Sequence, residues 1–367
     1  MYIHQLQDWP QFRWDSNSLT NQLAEVRHRQ GALIGRMEAL GFDLRQEAEL
    51  ATLVREVEKS SEIEGEILDH AQVRSSVARR LGMDIGGLLP TDRNVEGVVE
   101  MVLDATKQYD QPLTEDRLCA WHSTLFPAGR SGMYKILVGA WRDDNNGPMQ
   151  VVSGPIGRER VYYEAPAAPS LAREMAAFLN WFNAQEAFDQ VIRAAKAHLW
   201  FVTIHPFDDG NGRIGRALTD MLLARSEGSS QRFYSMSAQI RKERREYYDF
   251  LERAQRGTLD VTPWMAWFLG CLDRALVDAQ SALSTVLAKA AFWQLNSAVP
   301  LNTRQRLMLN NLLDGFEGKL TSSKWAKTAK CSQDSAHRDI LDLVAKGLLA
   351  KDTSGGRSTS YSLVLHP

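Results

Sequence analysis

Residues 194–224 read "AAKAHLWFVTIHPFDDGNGRIGRALTDMLLA". Ala194, Ala197, Phe201 and Ile204 recur at helical spacing, so the left arm predicts a helix with one apolar side. Pro206 stops it, because proline lacks the amide and clashes with the preceding turn. "RALTDMLLA" restarts a helix. Between the two arms lies "DDGNG", where glycines permit left-handed φ and close backbone approach. Amides exposed there, running into a helix N-terminus, make an anion site. Arg213 and Arg216, three residues apart, share a face of that helix and can both reach an anion. Asp209 adds a carboxylate beside the cradle. The guest that suits amides, two guanidinium groups and a carboxylate is a polyphosphate carrying Mg²⁺. His205, where the helix breaks, can overhang the site and take a proton from an incoming hydroxyl.

Simpler explanations fit less well. An EF-hand fails because "DGNGRI" puts Arg213 where an oxygen ligand belongs. A Walker A loop is closer, since Gly210 and Gly215 have the right separation. Arg216-Ala217 then replaces Lys-Ser/Thr, and a helix rather than a strand precedes the loop. Single histidines on helices, such as His122, His198 and His337, are expected to be structural.

The 367 residues are enough for two or three domains. Hydrophobic residues at 44% and charged residues at 24% suit a soluble globular protein. A net charge of −2 excludes a broadly basic nucleic-acid binder, though not a local basic patch. Three scattered cysteines, Cys119, Cys271 and Cys331, make neither a disulfide framework nor a metal spacing and point to a reducing compartment. No secretory signal and no apolar run of the ~18 residues a membrane span needs is present. The expected compartment is the cytoplasm, with no membrane partner.

Most of the chain predicts helix. Leu19, Leu23, Val26, Leu33, Met37 and Leu40 mark an amphipathic helix over 17–41. Residues 45–80 continue as helix up to a Gly/Pro-rich break at 86–92, and helix resumes over 95–105. The texture changes in "MQVVSGPIGRERVYYEAP", where Val151-Val152 and Val161-Tyr162-Tyr163 flank a turn-rich segment. A lone hairpin is marginal by itself, so it is expected to lie on the helical body as a flap. Helices then run from 170 to about 287. After Pro300 come three helices and two strands around a Gly-Gly turn, the order of a winged helix-turn-helix. The fold class expected is therefore all-α with a small β-hairpin flap and a C-terminal winged helix. The divisions are an N-terminal helical cap over 1–90, a catalytic domain over 91–290 and the winged helix over 300–367.

"HPFDDGNGRIGR" resembles the signature of the Fic family, H-P-F-x-[D/E]-G-N-G-R-x-x-R, and matches it at all nine fixed positions. The lead-in helix, the hairpin of 149–164 and "REYYDFLERAQRGTLDVTPWMAWFL" extend the resemblance over roughly 95–275. It implies a helical enzyme that transfers AMP from ATP, with Mg²⁺, to a Ser, Thr or Tyr hydroxyl of a target protein. His205 would be the base. Asp209 would hold Mg²⁺ between the α- and β-phosphates, and Gly210, Asn211 and Gly212 would form the anion hole. Arg213 would meet the β-phosphate and Arg216 the γ-phosphate, with Gly215 in the same nucleotide-binding loop. Phe207 would anchor the loop in the core. Tyr247 and Tyr248 match aromatic positions near the nucleotide. Val151, Val152, Ser153 and Gly154 of the hairpin would dock the target by strand addition.

"SSEIEGE", residues 60–66, is similar to the inhibitory pattern [S/T]-x-x-x-E-[G/N] of the same family, with Ser60, Glu64 and Gly65 at its fixed positions. The resemblance places it upstream on a helix and pairs Glu64 with Arg216. A carboxylate there occupies the donors that the γ-phosphate needs, so ATP binds unproductively.

The tail from residue 300 carries ten Lys/Arg and six Asp/Glu, 10 − 6 = +4. Its third helix is expected to start after Ser332 as N-cap. That helix offers Gln333, Ser335 and Arg338 to a DNA groove, with Arg357 in the wing. Protein contact is the competing role, because +4 is modest for phosphate neutralisation. Two other functions share the motifs: a DNA-binding regulator whose Fic core senses nucleotide, and a Fic enzyme with another nucleotide donor or with de-AMPylation activity. The target protein and the oligomeric state, a homodimer among the options, are not written in the sequence.

Overall fold

The structure is a computed structural model. It describes all residues except 84–87, 146, 154–159, 314–315, 317, 353–358 and 365–367. The chain falls into two compact units, Met1–Ala279 and Gln280–Pro367. The expected cap, 1–90, and the first part of the expected catalytic block share the first unit. Their boundary with the second lies inside a long helix, α11 (Thr262–Leu295).

Helix α1 (Ser16–Glu38) starts on Asp15, whose carboxylate accepts the amides of Asn17 and Ser18. Its buried stripe contains Leu19, Val26, Leu33 and Met37, as the spacing predicts. The single helix expected over 45–80 is in fact two, α2 (Phe42–Ile63) and α3 (His70–Arg80). The break is a glycine C-terminus. Gly65 has φ +90, its amide donates to the carbonyl of Glu62, and the amide of Glu66 donates to that of Ser61. That pair of bonds is a Schellman turn, which reverses the chain and ends the helix. Glu64 accordingly sits at the C-cap of α2 and not within it.

Helices α4 (Arg93–Lys107) and α5 (Glu115–Leu125) start on Asp92 and Thr114. They cross so closely that a Cβ on Gly97 would meet the carbonyl oxygen of Thr124 at 1.8 Å. A two-residue hairpin, β1 (Arg130–Ser131) with β2 (Tyr134–Lys135), follows; its turn was not apparent from the sequence. The anticipated flap is β3 (Gln150–Ser153) paired antiparallel with β4 (Arg160–Glu164), with a bulge between Val151 and Val152. Gly154 lies outside the described residues.

Helices α6 (Leu171–Asn183), α7 (Gln190–Ile204), α8 (Asn211–Glu227), α9 (Met236–Lys242) and α10 (Arg244–Arg256) precede α11. At the centre are α7 and α8. Every α7 residue from Val191 to Ile204 except Lys196 is buried, and so is α8 from Arg213 to Ala224. Both helices are thus buried on every side, and not only on the one side that Ala194, Ala197, Phe201 and Ile204 predict for α7. A Cβ on Gly215 would come within 2.9 Å of Val202, so the glycine sets the separation of the two helices.

The second unit holds α12 (Thr303–Leu313), α13 (Ser322–Thr328), α14 (Gln333–Ala345) and the antiparallel pair β5 (Leu349–Lys351) and β6 (Tyr361–Leu363). A bridge joins Leu320 to Tyr361. Met308, Leu309, Trp325, Ile340 and Leu343 form its core. No described helix is long and apolar enough to cross a membrane.

Candidate active site

The α7–α8 connection is held by its own side chains and by residues from outside it. Asn211 staples the loop: its Oδ1 accepts the Phe207 amide at 3.0 Å and its Nδ2 donates to the Phe207 carbonyl at 2.8 Å. Phe207 is fully buried, stacked on His122 with ring centroids 4.2 Å apart and an interplanar angle of 5°. Burying such a ring contributes roughly 1.5–3 kcal/mol. Asp208 accepts the Leu137 amide at 2.8 Å.

His205 closes α7 with φ 51 and ψ 60, a left-handed conformation that costs a non-glycine residue on the order of 1–3 kcal/mol. Buried Arg142 holds it there. Its Nε donates to the His205 carbonyl at 2.8 Å, and its amide donates to the Pro206 carbonyl at 2.9 Å. Nothing in the signature points to Arg142, which lies 63 residues before His205 in the chain.

The half-buried imidazole of His205 places Nδ1 3.2 Å from the Val202 carbonyl. A carbonyl can only accept, so Nδ1 carries the proton and Nε2 is left with its lone pair. Burial pushes the ring's pKa down to about 4, so it is neutral near pH 7. That is the protonation state of a general base.

Gly210, at φ +81, precedes α8 without a side-chain cap. The first-turn amides of α8 therefore face the loop with no intrahelical acceptor. Asp209 lies at the rim, its Oδ1 accepting the Gly210 amide at 2.6 Å and its Oδ2 the hydroxyl of Ser131.

Arg216 is the buried cation of the site, with a side chain 2% exposed. Its Nε donates to the Ser60 hydroxyl at 3.0 Å and its Nη2 to the Ser60 carbonyl at 2.8 Å. Its Nη1 lies 2.8 Å from Glu64 Oε1, an ionic approach without an aligned N–H. The Glu64 carboxylate stands over the start of α8: a Cβ on Gly212 would meet its Oε1 at 2.2 Å. The Tyr248 hydroxyl is 3.4 Å from the other oxygen. Arg244 caps the end of α2 by donating to the Ile63 carbonyl at 2.7 Å. Arg213 forms a 2.8 Å ion pair with Glu66, another residue the sequence analysis did not single out. Arg142, Glu66 and Arg244 act through tertiary contacts that no local pattern encodes.

Deeper along the same helices, Glu56 of α2 meets Asp220 of α8, one turn from Ser60 and Arg216 respectively. Burial, then Glu56, drives the Asp220 carboxyl well above the usual carboxylate range. Tyr247 belongs to this inner layer. Its hydroxyl is 2.8 Å from His198, whose other nitrogen faces Thr219 at 2.9 Å. Burial lowers the His198 pKa to about 3, which fits the structural role expected of it. Thus Tyr248 borders the cradle, while Tyr247 backs Arg216 from the core.

The flap is fastened along β4. Tyr163 donates to the Thr203 carbonyl at 2.6 Å, and Arg256 donates to the carbonyls of Tyr162 and Val161 at 2.9 and 2.8 Å. The opposite edge, on β3, has no strand neighbour among the described residues. In the second unit Ser332 caps α14 as expected, and Gln333 and Arg338 are exposed on it. Arg357 lies outside the described residues.

A helix pair whose connecting loop presents an imidazole, free amides and two arginines defines a Fic-type domain. Residues 112–223 match the Fic/DOC family model, and this part of the chain is a Fic/DOC domain. Residues 2–83 match a domain of unknown function, DUF4172. The chain is 29% identical over 262 residues to the protein adenylyltransferase Fic of Aedes aegypti, covering 69% of this chain and 48% of that protein. It is 33% identical over 131 residues to the protein of the same name from Drosophila grimshawi, covering 34% and 26%. It thus spans about half or less of the length of these curated relatives. In fold it is similar to a Fic family protein from Desulfovibrio desulfuricans G20, at 22% identity and TM-score 0.51, covering 95% of this chain and 96% of that one. It is also similar to a Fic domain containing signaling protein from Bacteroides thetaiotaomicron VPI-5482, at 20% identity and TM-score 0.52, covering 70% and 95%.

Proposed function

We propose that the protein transfers AMP from ATP to a hydroxyl of a target protein and that Glu64 holds this activity down. The observation that carries the reading is the neutral imidazole of His205 beside an α8 N-terminus bearing Arg213 and Arg216. His205 Nε2 takes the proton of the attacking hydroxyl. The hydroxyl oxygen forms a bond to the α-phosphorus, the α–β phosphoanhydride bond breaks, and pyrophosphate leaves. Positioning and charge stabilisation supply most of such a reaction, and the α8 amides and arginines serve both. The residues fit a Mg²⁺ that arrives on the nucleotide. Asp209 is a single rim carboxylate, and no group of three ligating side chains exists among the described residues. Mg²⁺ commonly binds through one carboxylate plus substrate phosphates, so Asp209 would hold it and the ion would neutralise phosphate charge. The β3 edge, without a strand neighbour among the described residues, suits an extended target segment, which backbone pairing would hold without demanding a sequence.

Glu64 and Ser60 together take up Arg216, so a triphosphate reaching for that guanidinium must displace a carboxylate. This supports autoinhibition. The tail has the element order of a winged helix. Asp334 and Asp342 flank Arg338 on α14, and Leu341 is 48% exposed, a surface better matched to protein than to DNA phosphates.

The test uses Glu64→Gly protein with ATP, GTP, CTP or UTP labelled at the α-phosphate. Label from ATP should become covalently attached to protein, and adding His205→Ala should abolish it. Attachment that survives His205→Ala would remove the proposed base.

A further inference from the structure

The turn that presents Glu64 also presents a second carboxylate. With Gly65 at φ +90, the Schellman turn folds residues 64 and 66 back toward the same helix end. Glu64 Oε1 lies 2.8 Å from Arg216 Nη1, and Glu66 Oε2 lies 2.8 Å from Arg213 Nη1. Two acids two residues apart thus meet two arginines three residues apart. The Arg213 guanidinium lies over the Phe126 ring, 5.0 Å from its centroid, and its side chain is 7% exposed. Its buried Nε has no partner among the described residues. That guanidinium is packed on a ring, lacks an acceptor for Nε, and has Nη1 taken by Glu66.

We propose that Glu66 is a second inhibitory residue, which masks Arg213 as Glu64 masks Arg216, so that the segment covers two successive phosphate positions. This rests on the nucleotide reading above. Arg213 is in the first turn of α8 and Arg216 one turn further in. A polyphosphate laid along the helix end meets them in succession. Relieving one carboxylate leaves the other arginine claimed. A nucleotide with a single phosphate does not extend to either guanidinium, so it does not compete with Glu66.

The Glu66 side chain is 38% exposed, so water screens the pair, and its competition is worth roughly two- to fivefold in affinity. Isothermal titration of AMP, Mg·ADP and Mg·ATP would be run on wild type, Glu64→Gly, Glu66→Gln and the double variant. Glutamine keeps the volume of an exposed side chain, and a melting temperature for each Glu66→Gln protein that matches its own parent, wild type or Glu64→Gly, would verify the fold. Glu66→Gln should tighten ADP and ATP in both backgrounds and leave AMP unchanged. Glu64→Gly should favour ATP over ADP. Equal tightening of all three ligands would overturn the proposal, because it would reflect only a change in net charge. So would unchanged ADP and ATP affinities in the double variant relative to a Glu64→Gly protein that binds ATP. If no variant bound any nucleotide, the nucleotide reading itself would fall, and this one with it.

Discussion

Replacing Glu64 by glycine removes the anion from a pair whose guanidinium is 2% exposed and whose carboxylate is 32% exposed. Fully exposed pairs contribute about 0–1 kcal/mol, and breaking a fully buried one costs about 3–5 kcal/mol. With one partner buried and the other partly wet, the pair lies between, at roughly 1–3 kcal/mol. In the resting protein this favours the closed arrangement of α2 on α8. A triphosphate competing for Arg216 works against the same free energy. Removing Glu64 should therefore raise the rate of AMP transfer roughly five- to hundredfold at subsaturating Mg·ATP, since about 1.4 kcal/mol is tenfold. The variant should also melt a few degrees lower, because Arg216 loses its counter-ion. Adding Mg·ATP should recover that loss. Initial rates of α-phosphate label incorporation, with titration calorimetry for ATP, read both effects. If rate and ATP affinity both stayed within about twofold of wild type, the Glu64–Arg216 pair would be incidental and the occupancy reasoning would fail.

Burial holds the His205 pKa at about 4, so the base is unprotonated down to that pH. Transfer by Glu64→Gly protein should show a plateau through pH 6–8 and an acid limb near 4. An acid limb at about 6.5, the ordinary value for histidine, would show that the ring is not desolvated in the working enzyme. Asp220 keeps a proton in the folded state that the unfolded chain releases above about pH 4, so folding stability falls as pH rises above that value. Glu56 from α2, with Arg232 and Glu227 alongside, are the charges that face it. Asp220→Asn needs no proton and should flatten that loss, which urea unfolding at pH 5 and pH 8 would measure. Gly97→Ala would drive a methyl into the Thr124 carbonyl, so it should lower stability by about 1–3 kcal/mol or more, whereas Gly31→Ala, with open space around it, should not.

Much of this site is legible in the chain because its parts are contiguous. The helix–loop–helix of 190–227, the Ser332 cap and the hairpin of 150–164 follow from local chemistry: a proline stop, a hydroxyl before a helix, alternating β-formers around a turn. The break after Ile63 was present in the sequence as Gly65. Helical periodicity on both sides hid it, and the glycine's role as a C-terminal turn appears only through the bonds of Ser61 and Glu62. Arg142 and Glu66 could not be read at all. Each gains its meaning from a partner more than 60 residues away, His205 for one and Arg213 for the other. Tyr247 and Tyr248 are adjacent in sequence yet face different layers, because neighbouring residues on a helix point about 100° apart.

The most direct measurement is a crystal structure of the Glu64→Gly protein with Mg·ATP. The expected result is a triphosphate lying along the α8 N-terminus with its outer phosphates on Arg213 and Arg216 and its α-phosphate opposite Nε2 of His205. An empty cradle, or a nucleotide bound there with its α-phosphate directed away from the His205 ring, would contradict it.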